Sequence, residues 1–248
     1  MMALLLLYPS THSLSHPYSS KYRQWFVRLL SEGYKRSDLT GDLPIAASLF
    51  LEDAGGKVTG GGNVFVNAVE GKGGSRRNPF KHAEIRCLSN WEEVRSGEEG
   101  KTSGKRANTI FGGTTLVSNH EPCTMCFAAL VNVGVGRIVF TGRDDLNGAV
   151  SLGVGKCKEI GRGEGGEVYY ELTEGVGGST FHFRPEIVYV PFSAVVEWWC
   201  AHCEEEGIEW REEWQGWRER RLLRGEEGGR EGDTNILKGW WRERRKRK

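Results

Sequence analysis

The sequence predicts an α/β fold in which helices pack on a mixed β-sheet. Three observations carry this expectation. Apolar runs at 44–51 (PIAASLFL) and 57–69, joined by Asp53-Ala54-Gly55-Gly56, read as a β-hairpin. Residues 109–141 read as strand, helix, strand with short connections, which implies parallel pairing through a right-handed crossover. Residues 20–32 repeat Tyr22, Trp25, Phe26, Leu29 and Leu30 at helical spacing.

The elements follow in chain order. Residues 1–19 are expected to be a disordered or targeting leader. Leu4 to Leu7 form an apolar run too short for a secretory signal, and no acidic residue precedes Glu32. The first helix is expected over 20–32, with Ser19 or Ser20 as cap and Gly33 as stop. In the hairpin that follows, Val64 and Val66 alternate with Phe65 and Asn67. Residues 70–78 (EGKGGSRRN) form a glycine-rich basic loop, in which Arg76 and Arg77, with Lys81 beyond, can face phosphate or solvent. A second helix is expected from His82 through Ile85, Leu88 and Trp91 to about Val94. Residues 96–108 read as a surface insertion. A strand holding TTLVS delivers the chain to Pro122, and a third, apolar helix spans 123–133. Residues 137–141 (RIVFT) are a strand of the buried type. Residues 142–156 are expected to be a loop at its carboxyl end, where ligands of open α/β sheets sit. Residues 161–178 are glycine-rich and give no clear element. A last strand is expected at 185–190 and a last helix at 193–206.

Beyond that the composition changes. Seven of the nine tryptophans fall between Trp198 and Trp241, and the tail KGWWRERRKRK carries seven basic residues and one acidic. Basic residues interleaved with aromatics suit nucleic acid, while a solvated, partly helical extension suits the same composition. Residues 208–248 therefore read as a charged, tryptophan-rich extension of a domain over 20–207. The chain of 248 residues has 34 basic and 33 acidic residues, so net charge says nothing about partners. Its six cysteines are too few and too unevenly spaced for a secreted disulfide scaffold. No apolar run approaches the ~18 residues of a membrane span.

Two segments carry chemistry: Asn78-Pro79-Phe80-Lys81-His82-Ala83-Glu84-Ile85 and His120-Glu121-Pro122-Cys123-Thr124-Met125-Cys126. If Pro122 opens a helix, Cys123 and Cys126 share one face of its first turn. The free N–H groups there favour thiolate, the form that binds zinc. His82, close after Pro79, is expected in a helix's first turn as well. Three ligands and a place for water describe a catalytic zinc, whereas a structural site takes a fourth, for which His120 or Cys87 is available. Two thiolates neutralise Zn²⁺ and leave a bound water less acidic, so a base beside the metal is useful. Glu84 is that base; two residues from His82, it faces another way. Cys200-Ala201-His202-Cys203 is a second C-x-x-C without a following partner pair.

Read together, H-x-E and P-C-x-x-C form the signature of zinc nucleobase deaminases. The chain from Lys21 to Gly207 resembles the cytidine deaminase-like superfamily, in its branch of tRNA adenosine, guanine and cytosine deaminases. GDLPIAASLFL resembles that family's first strand and NPFKHAEI its D-P-T-x-HAEI. SNHEPCTMCFAALVNVGVGRIVFTGRDDLNGAVS is similar to its second zinc motif and the loop beyond, most of all in bacterial-type tRNA adenosine deaminases. The resemblance implies a three-layer α-β-α fold with a five-stranded mixed sheet. It implies one Zn²⁺ per chain on His82, Cys123 and Cys126, and proton transfer by Glu84. It also implies that Asn63 hydrogen-bonds base or ribose, with Asn67 open as the alternative. The implied reaction is hydrolytic deamination of a nucleobase, nucleoside or tRNA adenosine. Implied too are a homo- or heterodimer, RNA contact through the basic tail, no membrane, and an intracellular site, cytoplasmic first with nucleus and organelle open. The alternative is a non-catalytic, zinc-containing partner or RNA-binding subunit; NPFKHA resembles such a subunit, but that subunit lacks the glutamate that Glu84 supplies. The loops before His82 and after Trp91, residues 161–178 and the tail depart from the family pattern.

Overall fold

The computed structural model describes residues 17–40, 44–53, 57–68, 78–98, 111–163, 166–173 and 183–205. The leader up to residue 16, the basic loop with Arg76 and Arg77, most of the insertion after Trp91, and the tryptophan-rich extension lie outside these. The chain runs α1 (Pro17–Thr40), β1 (Ala46–Glu52), β2 (Val58–Val66), α2 (Ala83–Glu98), β3 (Thr114–Ser118), α3 (Thr124–Val133), β4 (Arg137–Phe140), β5 (Cys157–Arg162), β6 (Val168–Leu172), β7 (Glu186–Tyr189) and α4 (Phe192–Glu205).

The sheet order is β2-β1-β3-β4-β7-β6-β5. The β1–β2 hairpin is antiparallel, β3 joins β1 antiparallel, and β3, β4 and β7 run parallel. The strand–helix–strand crossover of β3, α3 and β4 therefore forms as its short connections require. Among the described residues the sheet has seven strands, not five. The two additional strands, β5 and β6, form an antiparallel hairpin that extends the sheet beyond β7. Beyond Cys157, β5 is exposed at every position, so no one-sided burial marks it in the sequence. It exists because β6, itself paired to β7, offers it a backbone ladder.

Among the described residues each face of the sheet carries two helices. On one, Tyr22, Phe26 and Leu29 of α1 and Val195 and Trp198 of α4 cover Ala46, Phe50, Val117, Val139 and Val188. Trp25 stacks on Phe50 with ring centroids 4.5 Å apart. On the other, Ala83, Cys87, Leu88 and Trp91 of α2 and Phe127, Leu130 and Val131 of α3 cover Ala47, Leu49, Leu116 and Ile138. Each large side chain so buried contributes about 1.5–3 kcal/mol. Among the described residues no helix is long and apolar enough to cross a membrane.

Helix α1 passes through Gly33 instead of stopping there. A Cβ on Gly33 would lie 2.7 Å from the carbonyl oxygen of Pro44, so the glycine serves a close approach of α1 to the chain entering β1. The helix thus reaches Thr40, beyond the expected end at residue 32.

Candidate metal centre and active site

Helices α2 and α3 point their N-termini to the same place. Asn78 caps a short 3-10 turn, Pro79–Lys81, its side chain accepting from the Phe80 N–H at 3.0 Å. His82 follows in extended conformation, and its carbonyl accepts from the Arg86 N–H at 3.0 Å. It is therefore the N-cap of α2, not a residue of the first turn, because Pro79 opens the 3-10 turn and not the α-helix. Cys123 stands in the same relation to α3: extended, outside the helix, its carbonyl accepting from the Phe127 N–H at 2.8 Å. Pro122 accordingly precedes the cap. Cys126 lies in the first turn of α3. Backbone N–H groups without helical partners and the positive ends of both helix dipoles converge on these side chains.

The ligand atoms of His82, Cys123 and Cys126 all lie within 4.8 Å of one another, and His82 Nδ1 is 3.8 Å from Cys123 Sγ. Tetrahedral zinc with bonds of 2.0–2.3 Å sets its ligand atoms about 3.5–3.8 Å apart, so a small closure completes the site. Cys123 is held as a thiolate, its pKa lowered to about 4 by the hydrogen bond it accepts from the Cys126 thiol and by His82. The Cys126 thiol is pushed up by the hydrogen bond it donates to Cys123. His82 is raised by its bond to the Cys123 sulfur. These three groups already share protons as a set that a divalent cation would replace.

Glu84 stands in the first turn of α2, 2% exposed, with its Oε2 buried and without a hydrogen-bond partner. Burial raises its carboxyl above the usual range. An orphaned acid oxygen beside two sulfurs and an imidazole fits a metal ion with a water molecule on it, and the donor set fits zinc. Neither His120 nor Cys87 joins the three ligands. His120 Nε2 lies 3.4 Å from Asp144 Oδ2, and Cys87 is buried against the β1–β2 hairpin.

The structure does not bring Asn63 to this cluster. Asn63 is exposed on β2 and lines a separate cavity with Asn90 and Trp91. It lies four residues, about 13 Å of strand, before Asn67. Asn67 is the asparagine at the site: 5% exposed, its Oδ1 accepts from the Ala83 N–H at 2.9 Å, beside His82 and Glu84. Strand β2 ends at Val66, so Asn67, the residue after it, is the one that meets the N-terminus of α2.

Sequence reasoning passed over Glu121 and Asp144. Glu121 Oε2 accepts from Asp144 N at 3.0 Å and Ser151 Oγ at 2.6 Å, and Oε1 accepts from Ser151 N at 2.7 Å. Asp144 Oδ1 in turn accepts from Leu146 N at 3.1 Å and Asn147 N at 3.2 Å. These carboxyl groups wind residues 142–151 around the start of α3, where Thr124 N donates to Asn147 O at 3.1 Å. The available signal was Gly148, whose Cβ would sit 2.3 Å from Glu121 Cδ. Lys81, next to His82, is exposed. Cys203 of the second C-x-x-C is buried on α4.

Residues 20–142 match the family described as the cytidine and deoxycytidylate deaminase zinc-binding region. The chain carries a cytidine deaminase-like domain. Strands β1 to β4 and both helices of the ligand cluster fall within it. The deaminase domain is similar to the tRNA-specific adenosine deaminase of Buchnera aphidicola, 30% identical over 110 residues that make up 43% of this chain and 52% of that protein. It is also similar to the tRNA-specific adenosine deaminase of Haemophilus influenzae, 27% identical over 53% of this chain and 64% of that protein. The chain thus spans about half to under two thirds of the curated relatives it matches. Among solved structures, one from work on A-to-I editing at the wobble position of transfer RNA is 26% identical, covering 52% of this chain and 82% of that one, with TM-score 0.38. The guanine deaminase of Nitrosomonas europaea is 19% identical over 75% of this chain and 86% of that one, also with TM-score 0.38.

Proposed function

We propose that the chain is a zinc-dependent hydrolytic deaminase of a nucleobase, nucleoside or tRNA adenosine, with conversion of adenosine to inosine favoured among these. The observation that carries this reading is Glu84: a buried carboxyl group with an unpartnered oxygen, set between His82 and the Cys123–Cys126 pair. His82, Cys123 and Cys126 would hold the metal. A zinc ion there would supply an acidified water as the nucleophile for the amidine carbon.

Glu84 accepts the proton of that water, because its desolvated carboxyl group binds a proton more readily than an exposed one. It delivers that proton to the ring nitrogen next to the attacked carbon. The second proton of the nucleophile then passes through Glu84 to the amine, which leaves as ammonia while the carbonyl forms. Atoms balance: amidine and water become amide and ammonia. Asn67 has its amide oxygen committed to the Ala83 N–H, so its NH₂ is the group left for an acceptor on the substrate. We assign the substrate-binding role to Asn67 and not to Asn63. The relatives named as tRNA-specific adenosine deaminases support adenosine in RNA as the first substrate to test.

The test is ammonia release by the zinc-loaded protein over free bases, nucleosides, nucleotides and tRNA. Glu84→Gln is expected to retain zinc and lose about 10²–10⁴-fold in rate. Full activity in that variant, or zinc binding with no turnover of any substrate by the unaltered chain, refutes the reading; the second result is the one a non-catalytic partner subunit gives.

A further inference from the structure

A cavity of about 390 Å³ opens between the β1–β2 hairpin and α2. None of His82, Glu84, Cys123 or Cys126 lines it. Trp91, on its wall, is seven residues along α2 from Glu84, about 10 Å of helix. The size falls within the range of small-ligand sites, about 300–1,000 Å³.

Its lining is specific in two ways. The apolar walls combine two aromatics, Phe65 and Trp91, with Leu49, Leu51 and Cys87, and the polar groups include two amides, Asn63 and Asn90. Among the described residues no charged side chain lines it, and the Arg86 guanidinium lies 5.5 Å over the Phe65 ring. Trp91 is fixed in place: at Gly61, where φ is +81°, an added Cβ would lie 2.5 Å from the indole and 2.6 Å from Leu49 O. Only glycine lets the ring lie so close to the strand. An amide offers a donor and an acceptor side by side, which matches the edge of a heterocycle carrying the complementary pair, as asparagine matches adenine. Aromatic walls favour the π-face of such a ring. Among the described residues the wall offers no cation for a phosphate and no anion for an amine.

We propose that this cavity is a second binding site, apart from the candidate active site, for a neutral planar heterocycle of the purine or pyrimidine base class. It binds without turnover, since the Cys87 thiol on its wall is kept protonated by burial and none of His82, Glu84, Cys123 or Cys126 faces it.

Gly60 provides the test. It pairs with Leu51, which packs on the α2 side, and a Cβ there meets nothing within 4 Å. Gly60→Phe therefore fills the cavity without a first-atom clash. Equilibrium dialysis of adenine, guanine and cytosine against zinc-loaded Glu84→Gln protein, with and without Gly60→Phe, counts bound base per chain while turnover is suppressed. The cavity predicts one base fewer per chain in the double variant, and at least tenfold weaker binding of that base in Asn90→Ala. Gly60→Phe alone is expected to keep the ammonia release of the unaltered protein. Equal binding with and without Gly60→Phe overturns the proposal, as does no binding of any of the three bases. A base still bound in the double variant belongs to the metal centre, so the two readings fail separately.

Discussion

Glu121→Gln isolates the contribution of the loop after β4 to the site. The carboxyl group of Glu121 accepts three hydrogen bonds from within residues 142–151, at 2.6 to 3.0 Å. An amide of the same size has one oxygen. With that oxygen at the Oε2 position, the Ser151 N–H faces an NH₂ group; turned over, the Asp144 N–H does. Either way a backbone donor next to a residue 2% exposed is left without an acceptor. An orphaned buried donor costs about 1–3 kcal/mol, and losing the anionic acceptor adds to it, for about 2–4 kcal/mol in total. At roughly 2–4 °C per kcal/mol for a domain of this size, Tm falls by about 4–16 °C. Thermal unfolding followed by circular dichroism, with saturating zinc and again with chelator, reads the effect. Zinc stabilises only the folded ligand set, so loosening the loop that holds the start of α3 also shrinks the zinc-dependent rise in Tm. A change under 2 °C with the zinc effect intact would refute the account of Glu121.

Other consequences are simpler to read. Cys123, with its pKa lowered to about 4, contributes stability that is present above the ordinary thiol range and lost as pH falls through about 4. In the zinc-free protein its alkylation by iodoacetamide should stay fast down to pH 5 and halve near pH 4, while zinc blocks it; a midpoint near 8 contradicts the geometry. Tyr22 is raised by burial despite Arg137, so its neutral form supports the fold. Stability is full below about pH 10 and declines above it, and urea unfolding of Tyr22→Phe should show a shallower alkaline decline than the natural chain. Gly61→Ala meets both a positive φ and overlap with Trp91 and Leu49 O, and should cost about 1–3 kcal/mol by chemical denaturation.

The parts of this fold that were legible in sequence are those where one residue's chemistry or one local period decides the outcome. The β1–β2 hairpin, the β3–α3–β4 crossover and four helices follow from apolar periodicity and turn residues, because a half-buried element must repeat its buried face. Helix α1 ran past its expected stop because Gly33 answers to the neighbouring Pro44 backbone, a contact between segments and not a local signal. The β5–β6 hairpin escaped notice because β5 buries little and draws its order from a partner strand.

The same division holds at the site. His82, Glu84, Cys123 and Cys126 were identifiable from residue type and order, since soft ligands beside a carboxylate have few other uses in that spacing. The sequence by itself therefore determined which residues are candidates for the donor set and the class of chemistry they would suit. The tertiary structure decided that His82 and Cys123 are both N-caps facing one point, and that Asn67 reaches that point while Asn63 faces another cavity. It also decided that Glu121 and Asp144 bind the following loop to α3. These depend on where two helices and a loop meet across the sheet, and distances between segments far apart in the chain are set by packing, which no local pattern records.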